Sequence, residues 1–262
     1  MNRGGNEFHI GLAGILRRMV NGFFALNRRT SRFVERFFPQ ANVDMHGMYE
    51  KTVARYMNSK PGMVVVDVGG GKNCPFAKYR SPEAGARIIC LDISMAEMQY
   101  NMDVDEKRVA DIMRSLPCDD GEADLIVSRS VLEHVENLSL FVKQARRVLK
   151  EGGYFIHVFP SKFAPFALLN QALPRKVSPW ILDLMFPEKK GILGFPAVYD
   201  RCYASAIRRL LEGDGFEVVN LALTYRQSGY FEVFFPAYLA SVCYEAILQS
   251  LSLKDLCAYV LV

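Results

Sequence analysis

Only one tryptophan, four histidines and no Cys-x-x-Cys pair occur in the 262 residues of this chain. No two histidines stand at metal-ligand spacing, so neither a structural zinc site nor zinc hydrolysis is expected. A Gly-x-Ser-x-Gly elbow is also missing, which removes the serine esterase reading. The six cysteines are scattered, and four sit in apolar runs where a thiol acts as a small hydrophobe. A reducing cytoplasm fits that usage. Long unbroken apolar runs are lacking too. Arg17 and Arg18 interrupt residues 10–20, and Pro236, Glu245 and Gln249 make insertion of residues 233–253 costly. That second stretch is expected to be a buried or surface-lying helix. No internal repeat or low-complexity tract is evident.

What is present is a chain half apolar and 23% charged, enough for one α/β core with elaborations. The formal charge is +4, but the first forty residues hold seven arginines against Glu7 and Glu35. Within residues 8–38, Ile15, Met19, Phe23, Leu26, Phe33 and Phe37 recur at helical spacing between arginines, and Pro39 stops the pattern. This reads as a basic amphipathic helix, with Asn21-Gly22 as a point where it would break. Its arginines suit anionic lipid, nucleic acid or a phosphorylated substrate, against the plainer reading of a solvated helical face. A second helix is expected over residues 43–57, before the break at Lys60-Pro61-Gly62. Residues 1–61 are thus read as a basic helical cap and residues 62–262 as the main domain.

From residue 62 short apolar runs alternate with helical patterns, the arrangement of βαβ units. Strands are expected at residues 63–68, 87–91, 108–110, 124–128 and 154–159. Asn137 would cap a helix over the periodic residues that follow, and Gly152-Gly153 would close it. Residues 161–200, rich in Phe, Leu and Pro and holding Trp180, break the alternation as an insertion suited to a lid or an acceptor pocket. A helix at 203–212, a strand at 216–225, the apolar helix and a last strand at 257–262 complete the chain. The aromatic residues within 225–238 are read mainly as core, with an apolar acceptor wall as the alternative.

The strongest local signal is Val66-Asp67-Val68-Gly69-Gly70-Gly71-Lys72-Asn73, an apolar strand entering a glycine-rich turn. Such glycines permit positive φ and let a ligand lie against the main chain. A dinucleotide fingerprint would need a third glycine at position 74, where Cys74 stands, so hydride chemistry is disfavoured. Asp92 ends the second strand 25 residues after Asp67, where a carboxylate can accept two ribose hydroxyls. Asp111 ends the third, with a helix N-cap as its plainer reading.

Asp67-x-Gly69-x-Gly71 resembles the first motif of class I S-adenosylmethionine-dependent methyltransferases, except that Asn73 replaces the last glycine. Asn tolerates left-handed backbone, so a small geometric change is expected there. The run from Glu122 to Val135, followed by Val148-Leu149-Lys150-Glu151-Gly152-Gly153, is similar to the small-molecule branch called methyltransferase type 11. The resemblance covers residues 62–160 well and the N-terminal helix not at all. It implies a Rossmann-like α/β sheet of seven strands, mostly parallel with the last antiparallel, and helices on both faces. It assigns Asp67, Gly69, Gly70, Gly71, Asp92, Ile93, Asp111, Ile112 and Ser128 to S-adenosylmethionine, with Asp92 on the ribose, Asp111 on the adenine amino group and Ile112 on the ring. His134, after the fourth strand, is the first candidate to position the acceptor or take its proton, against a pocket-wall histidine. Tyr199 and Tyr203 are weaker candidates.

Ser128-Arg129-Ser130 replaces the proline-aromatic motif of amino-methylating nucleic-acid enzymes, so a base-amine acceptor is not expected. The function implied is methyl transfer to a small-molecule or lipid-linked acceptor without a metal, in the cytoplasm, with peripheral membrane contact through the basic helix. The rival readings are a non-catalytic cofactor-binding protein of the same fold and an RNA methyltransferase using that helix.

Overall fold

Strand alternation explains the sheet: side chains two apart share a face, and here both faces are apolar. The structure, a computed structural model, describes residues 5–38, 44–172 and 197–262. It divides into two units, one formed by Asp44–Tyr225 with Leu253–Val262 and the other by Met1–Val43 with Arg226–Ser252.

The first unit holds a seven-stranded sheet in the order β3-β2-β1-β4-β5-β7-β6. Its strands are β1 (Val64–Val68), β2 (Arg87–Asp92), β3 (Glu106–Val109), β4 (Ala123–Arg129), β5 (Leu149–Pro160), β6 (Ala222–Thr224) and β7 (Tyr259–Leu261). β1 to β5 pair in parallel, and β7 runs antiparallel to both β5 and β6. Val65, Ile88, Leu125 and Val127 pack on one side with α2 (Met45–Met57). Val66, Ile89, Leu91 and Ile126 pack on the other with α4 (Leu138–Val148) and α6 (Ala204–Gly213). Between them in sequence come α3 (Met95–Met98) and α5 (Pro165–Ala172). This is the Rossmann-like mixed sheet that the motifs imply.

Several elements depart from the sequence reading. Asn137 does cap α4, its Oδ1 accepting Leu140 N at 3.1 Å, worth about 1 kcal/mol. The helix is not closed by Gly152-Gly153, however. It stops at Val148, Leu149 already pairs with Ala123, and Gly152 at φ +72° lies within β5, in the stretch between its Leu149 and Tyr154 pairings where the register against β4 shifts. The strand expected at 216–225 shrinks to β6, because Phe216 and Val218 pack half-buried against the core without entering the ladder. Asp44 caps α2 at Gly47 N (2.9 Å), and contacts place α2 with the sheet unit. Residues 173–196 of the insertion, including Trp180, lie outside the described residues.

In the second unit, α1 (Gly5–Glu35) runs unbroken through Asn21-Gly22, correcting the expected interruption. A glycine costs a helix only about 1 kcal/mol, which weakens the pattern without ending it. α7 (Phe235–Ser250) carries Pro236 in its first turn, where the lost N–H has no helical partner anyway. Glu245 is buried yet satisfied, accepting from Gln227 N (2.9 Å), Ser228 N and Ser241 Oγ (3.1 Å). α7 is too short, at about 1.5 Å per residue, to cross a bilayer. No helix among the described residues is long and apolar enough to cross a membrane.

Candidate active site

β1 delivers its chain into a turn whose shape requires glycine. Gly69 and Gly71 have φ of +68° and +50°, a region that side chains with a Cβ enter at a cost. Gly70 has ordinary φ, but a Cβ there would lie 2.7 Å from both Asp67 Oδ2 and Cys90 Sγ. A Cβ on Gly69 would strike Val131, which places the segment after β4 against the glycine turn.

The turn is tied down from the neighbouring strand ends. Gly69 N and Gly70 N donate to Leu91 O at 2.7 and 3.3 Å. Asp92 Oδ2 accepts Gly71 N at 3.2 Å, and its Oδ1 accepts Ser94 N at 3.0 Å. Asn101 Nδ2 donates to Gly71 O at 3.1 Å, and Asp103 Oδ2 accepts Cys74 N at 3.1 Å. Ala110 N donates to Asp92 O at 2.9 Å, bringing Asp111 to the same edge. Asp111 itself accepts Met113 N at 3.1 Å and pairs with Arg114 at 3.2 Å. Ile93 stands 54% exposed beside Asp92, and Ile112 is half-buried beside Asp111.

Asp67 lies beneath the turn, buried. Burial pushes its carboxyl up to about 7, against the opposing pull of the Cys74 thiol's hydrogen bond and of Arg129, with Asp92 adding a push. Burial likewise raises the Cys74 thiol and takes Cys90 up to about 12, so neither is a thiolate nucleophile near neutral pH.

The segment after β4 is built differently. Ser130 adopts φ +56° with its N–H on Val158 O at 2.8 Å, and the chain then forms the 3-10 turn Leu132–His134. Ser128 is fully buried with Oγ 2.6 Å from His157 Nδ1, so its hydroxyl is engaged with β5. Burial lowers His157 to about 3, which keeps it neutral. His134 is one-third exposed, with Nε2 3.9 Å from Glu133 Oε1. Glu133 is buried and has an oxygen, Oε2, without a hydrogen-bond partner; burial pushes its carboxyl up to about 8. The carbonyl of Glu133 accepts Val198 N and Tyr199 N at 2.7 and 2.9 Å, fixing the end of the insertion here. Tyr199 is buried at φ +56°, and Tyr203 precedes the first residue of α6 without a side-chain capping bond.

The structure therefore gathers Gly69, Gly70, Gly71, Asp92, Ile93, Asp111 and Ile112 at the carboxyl edge of β1 to β3, with Asp67 underneath. Sequence reasoning missed Asn101, Asp103, Val131 and Glu133. For the first two a signal existed: Asn101, Asp103 and Asp105 alternate, and each sends its side chain to the β1 turn or to β2. Among the described residues no group of three His, Cys, Asp or Glu is placed to hold a metal ion.

Residues 66–157 match the family model described as a methyltransferase domain. The chain is 28% identical over 128 residues to a sarcosine/dimethylglycine N-methyltransferase of Aphanothece halophytica, covering 45% of this chain and 46% of that protein. It is 27% identical over 152 residues to a ubiquinone/menaquinone biosynthesis C-methyltransferase of Caulobacter vibrioides, covering 52% of this chain and 60% of the relative. The chain thus spans about half the length of these curated relatives. Among solved structures, an S-adenosylmethionine-dependent methyltransferase from Mesorhizobium loti superposes with a TM-score of 0.52 at 17% identity, covering 81% of this chain and 95% of that one. The geranyl diphosphate C-methyltransferase of Streptomyces coelicolor gives a TM-score of 0.51 at 14% identity, over 83% and 78%. At those identities the likeness shows the fold.

Proposed function

We propose that the chain transfers the methyl group of S-adenosylmethionine to a small-molecule or lipid-linked acceptor, a reading supported by the match of residues 66–157 to a methyltransferase domain. The observation that carries the reading is Asp92, which braces Gly71 N while standing at the open edge of the sheet. Each of its oxygens takes one backbone N–H, and a carboxylate has about four lone-pair sites, so both retain capacity for two vicinal hydroxyls. Asp111 has the same spare capacity for an exocyclic amine. Ile93 and Ile112 offer apolar contact to a flat ring. The side-chain-free main chain of Gly69 to Gly71 supports the remainder of the donor, with Asp67 bracing it from below.

When bound, the sulfonium donor supplies a methyl group already activated for displacement. The chain's task is then alignment of an acceptor atom about 3 Å away, in line and without water. His134, one-third exposed on the turn that follows β4, is the group assigned to orient that acceptor or to take its proton. The curated relatives act as an N-methyltransferase of sarcosine and dimethylglycine and as a C-methyltransferase of quinone biosynthesis. They support a small organic acceptor and leave the methylated atom open.

Calorimetric titration with S-adenosylmethionine and its demethylated product tests the donor site. Wild-type protein is expected to bind both at micromolar concentration, and Asp92→Ala to bind at least about a hundredfold more weakly, since two charged hydrogen bonds and a loop tie are lost. Absence of binding in the wild type would sink the reading.

A further inference from the structure

The second unit carries a surface that methyl transfer does not use. On α1 the residues turned to α7 and the turn before it are polar or half-buried: Asn27 Oδ1 accepts Phe235 N at 2.8 Å, Ser31 Oγ donates to Glu232 O at 3.2 Å, and Glu35 pairs with Arg226. The apolar residues lie elsewhere. Ile15, Met19, Phe23, Leu26 and Phe33, with Phe37 in the turn that follows, are each at least half exposed. At 100° per residue they fall within an arc of about 80°. Beside that stripe runs a second one of exposed arginines, Arg18, Arg29 and Arg36, with Arg32 among them paired to Glu232 at 3.4 Å. Among the described side chains of α1 the sole carboxylate is Glu35, which is turned away to Arg226.

A soluble helix hides its apolar stripe against the core and shows its charges. Here α1 spends its polar face on α7 and leaves bulky apolar side chains in the open beside a row of cations. We infer that α1 is an interfacial anchor that lies in the headgroup plane of an anionic lipid bilayer, its apolar stripe entering the acyl boundary and its arginines engaging the lipid phosphates. The pattern matches the needs of that surface: a large apolar arc, aromatic residues among aliphatic ones, basic flanks, and a helix not apolar enough to span. Nucleic acid would satisfy the arginines but not the phenylalanines, because a phosphate backbone does not desolvate an apolar stripe. A second copy would cover the stripe while gaining nothing from the arginines. The bilayer is the one occupant that uses both.

Flotation of the full chain with phosphatidylcholine vesicles, with and without phosphatidylglycerol, tests this. At low salt the wild type is expected to float with the anionic vesicles and to remain below the neutral ones. Arg18→Gln, Arg29→Gln and Arg36→Gln combined should weaken association on the order of a hundredfold, about fivefold per charge. Phe23→Glu, Leu26→Glu and Phe33→Glu combined should abolish it at any salt. All six positions are exposed, so circular dichroism and binding of the demethylated donor product should be unchanged in both variants, separating a failed anchor from a failed donor site. No flotation of the wild type at low salt would overturn the inference. So would full vesicle binding by the triple glutamate variant, or a change in that variant from dimer to monomer with vesicle binding intact, which would make the stripe a contact between copies. RNA binding lost in the arginine variant, with no vesicle binding in the wild type, would assign the helix to nucleic acid instead.

Discussion

β1 and β4 lie side by side in the sheet, but their carboxyl ends are finished in opposite ways. After β1 the backbone groups named above all have partners: Gly69 and Gly70 on Leu91, Gly71 on Asp92 and Asn101, Cys74 on Asp103. After β4 the chain turns through a positive φ at Ser130 and buries a glutamate with an unpartnered oxygen, while neutral His157 lies below with Nε2 unpartnered as well. A fully bonded turn is preorganised and costs nothing to hold in shape when a ligand arrives. Buried groups left short of partners are expensive in a fold, and that expense is commonly tolerated beside a functional site. The contrast fits the proposed donor site, held by rigid main chain, beside a stretch after β4 whose buried polar groups are not all satisfied.

Three measurements sharpen or break that contrast. The largest effect belongs to Glu133→Gln. The Glu133 carboxyl is raised from 4.5 to about 8, so below about pH 4.5 it is protonated in folded and unfolded chains alike and exerts no penalty. As pH rises toward 8 the unfolded chain ionises first, and stability falls by up to about 1.4 kcal/mol per pH unit. Thermal melts of the wild type should therefore decline from pH 5 to pH 8 more steeply than those of the variant; parallel curves would mean that the glutamate is not held neutral.

Next comes Gly70→Ala. The added methyl meets the Asp67 carboxyl and the Cys90 sulfur at 2.7 Å, a clash expected to cost about 1–3 kcal/mol. At about 2–4 °C per kcal/mol for a chain of this size, a melting temperature lowered by several degrees should result, together with weaker donor binding. An unchanged melt would show that the turn is looser than its hydrogen bonds indicate. Smallest is Ser128→Ala, which leaves both ring nitrogens of buried His157 without partners. A loss of about 1–2 kcal/mol in denaturant melts is expected, with donor binding retained. If donor binding were lost as well, Ser128 would be a direct contact after all.

The sequence made much of the donor side legible. β1, β2 and β4 carry apolar runs buried on both faces, which read as a parallel sheet, and the glycines of the β1 turn and the carboxylate ending β2 stand at fixed places in those runs, while β3 is a charged edge strand followed by Asp111. Boundaries that depend on partners were less readable. Gly152 looks like a helix stop but serves a shift in β5 register, and residues 216–221 look like strand but lack a neighbour in the ladder.

What the chain determined by itself is local: which runs are apolar with period two, where glycine must stand, which carboxylates end strands, and that the first helix alternates arginine with bulky apolar residues. What only tertiary structure decided is burial. Ser128 and Glu133 look as exposed in sequence as His134, and only the packing of β5 and the return of the chain at Tyr199 removes them from water. Burial is a sum over neighbours distant in the chain, and it sets both the shift of a carboxyl and whether an apolar stripe on α1 faces the protein or the outside.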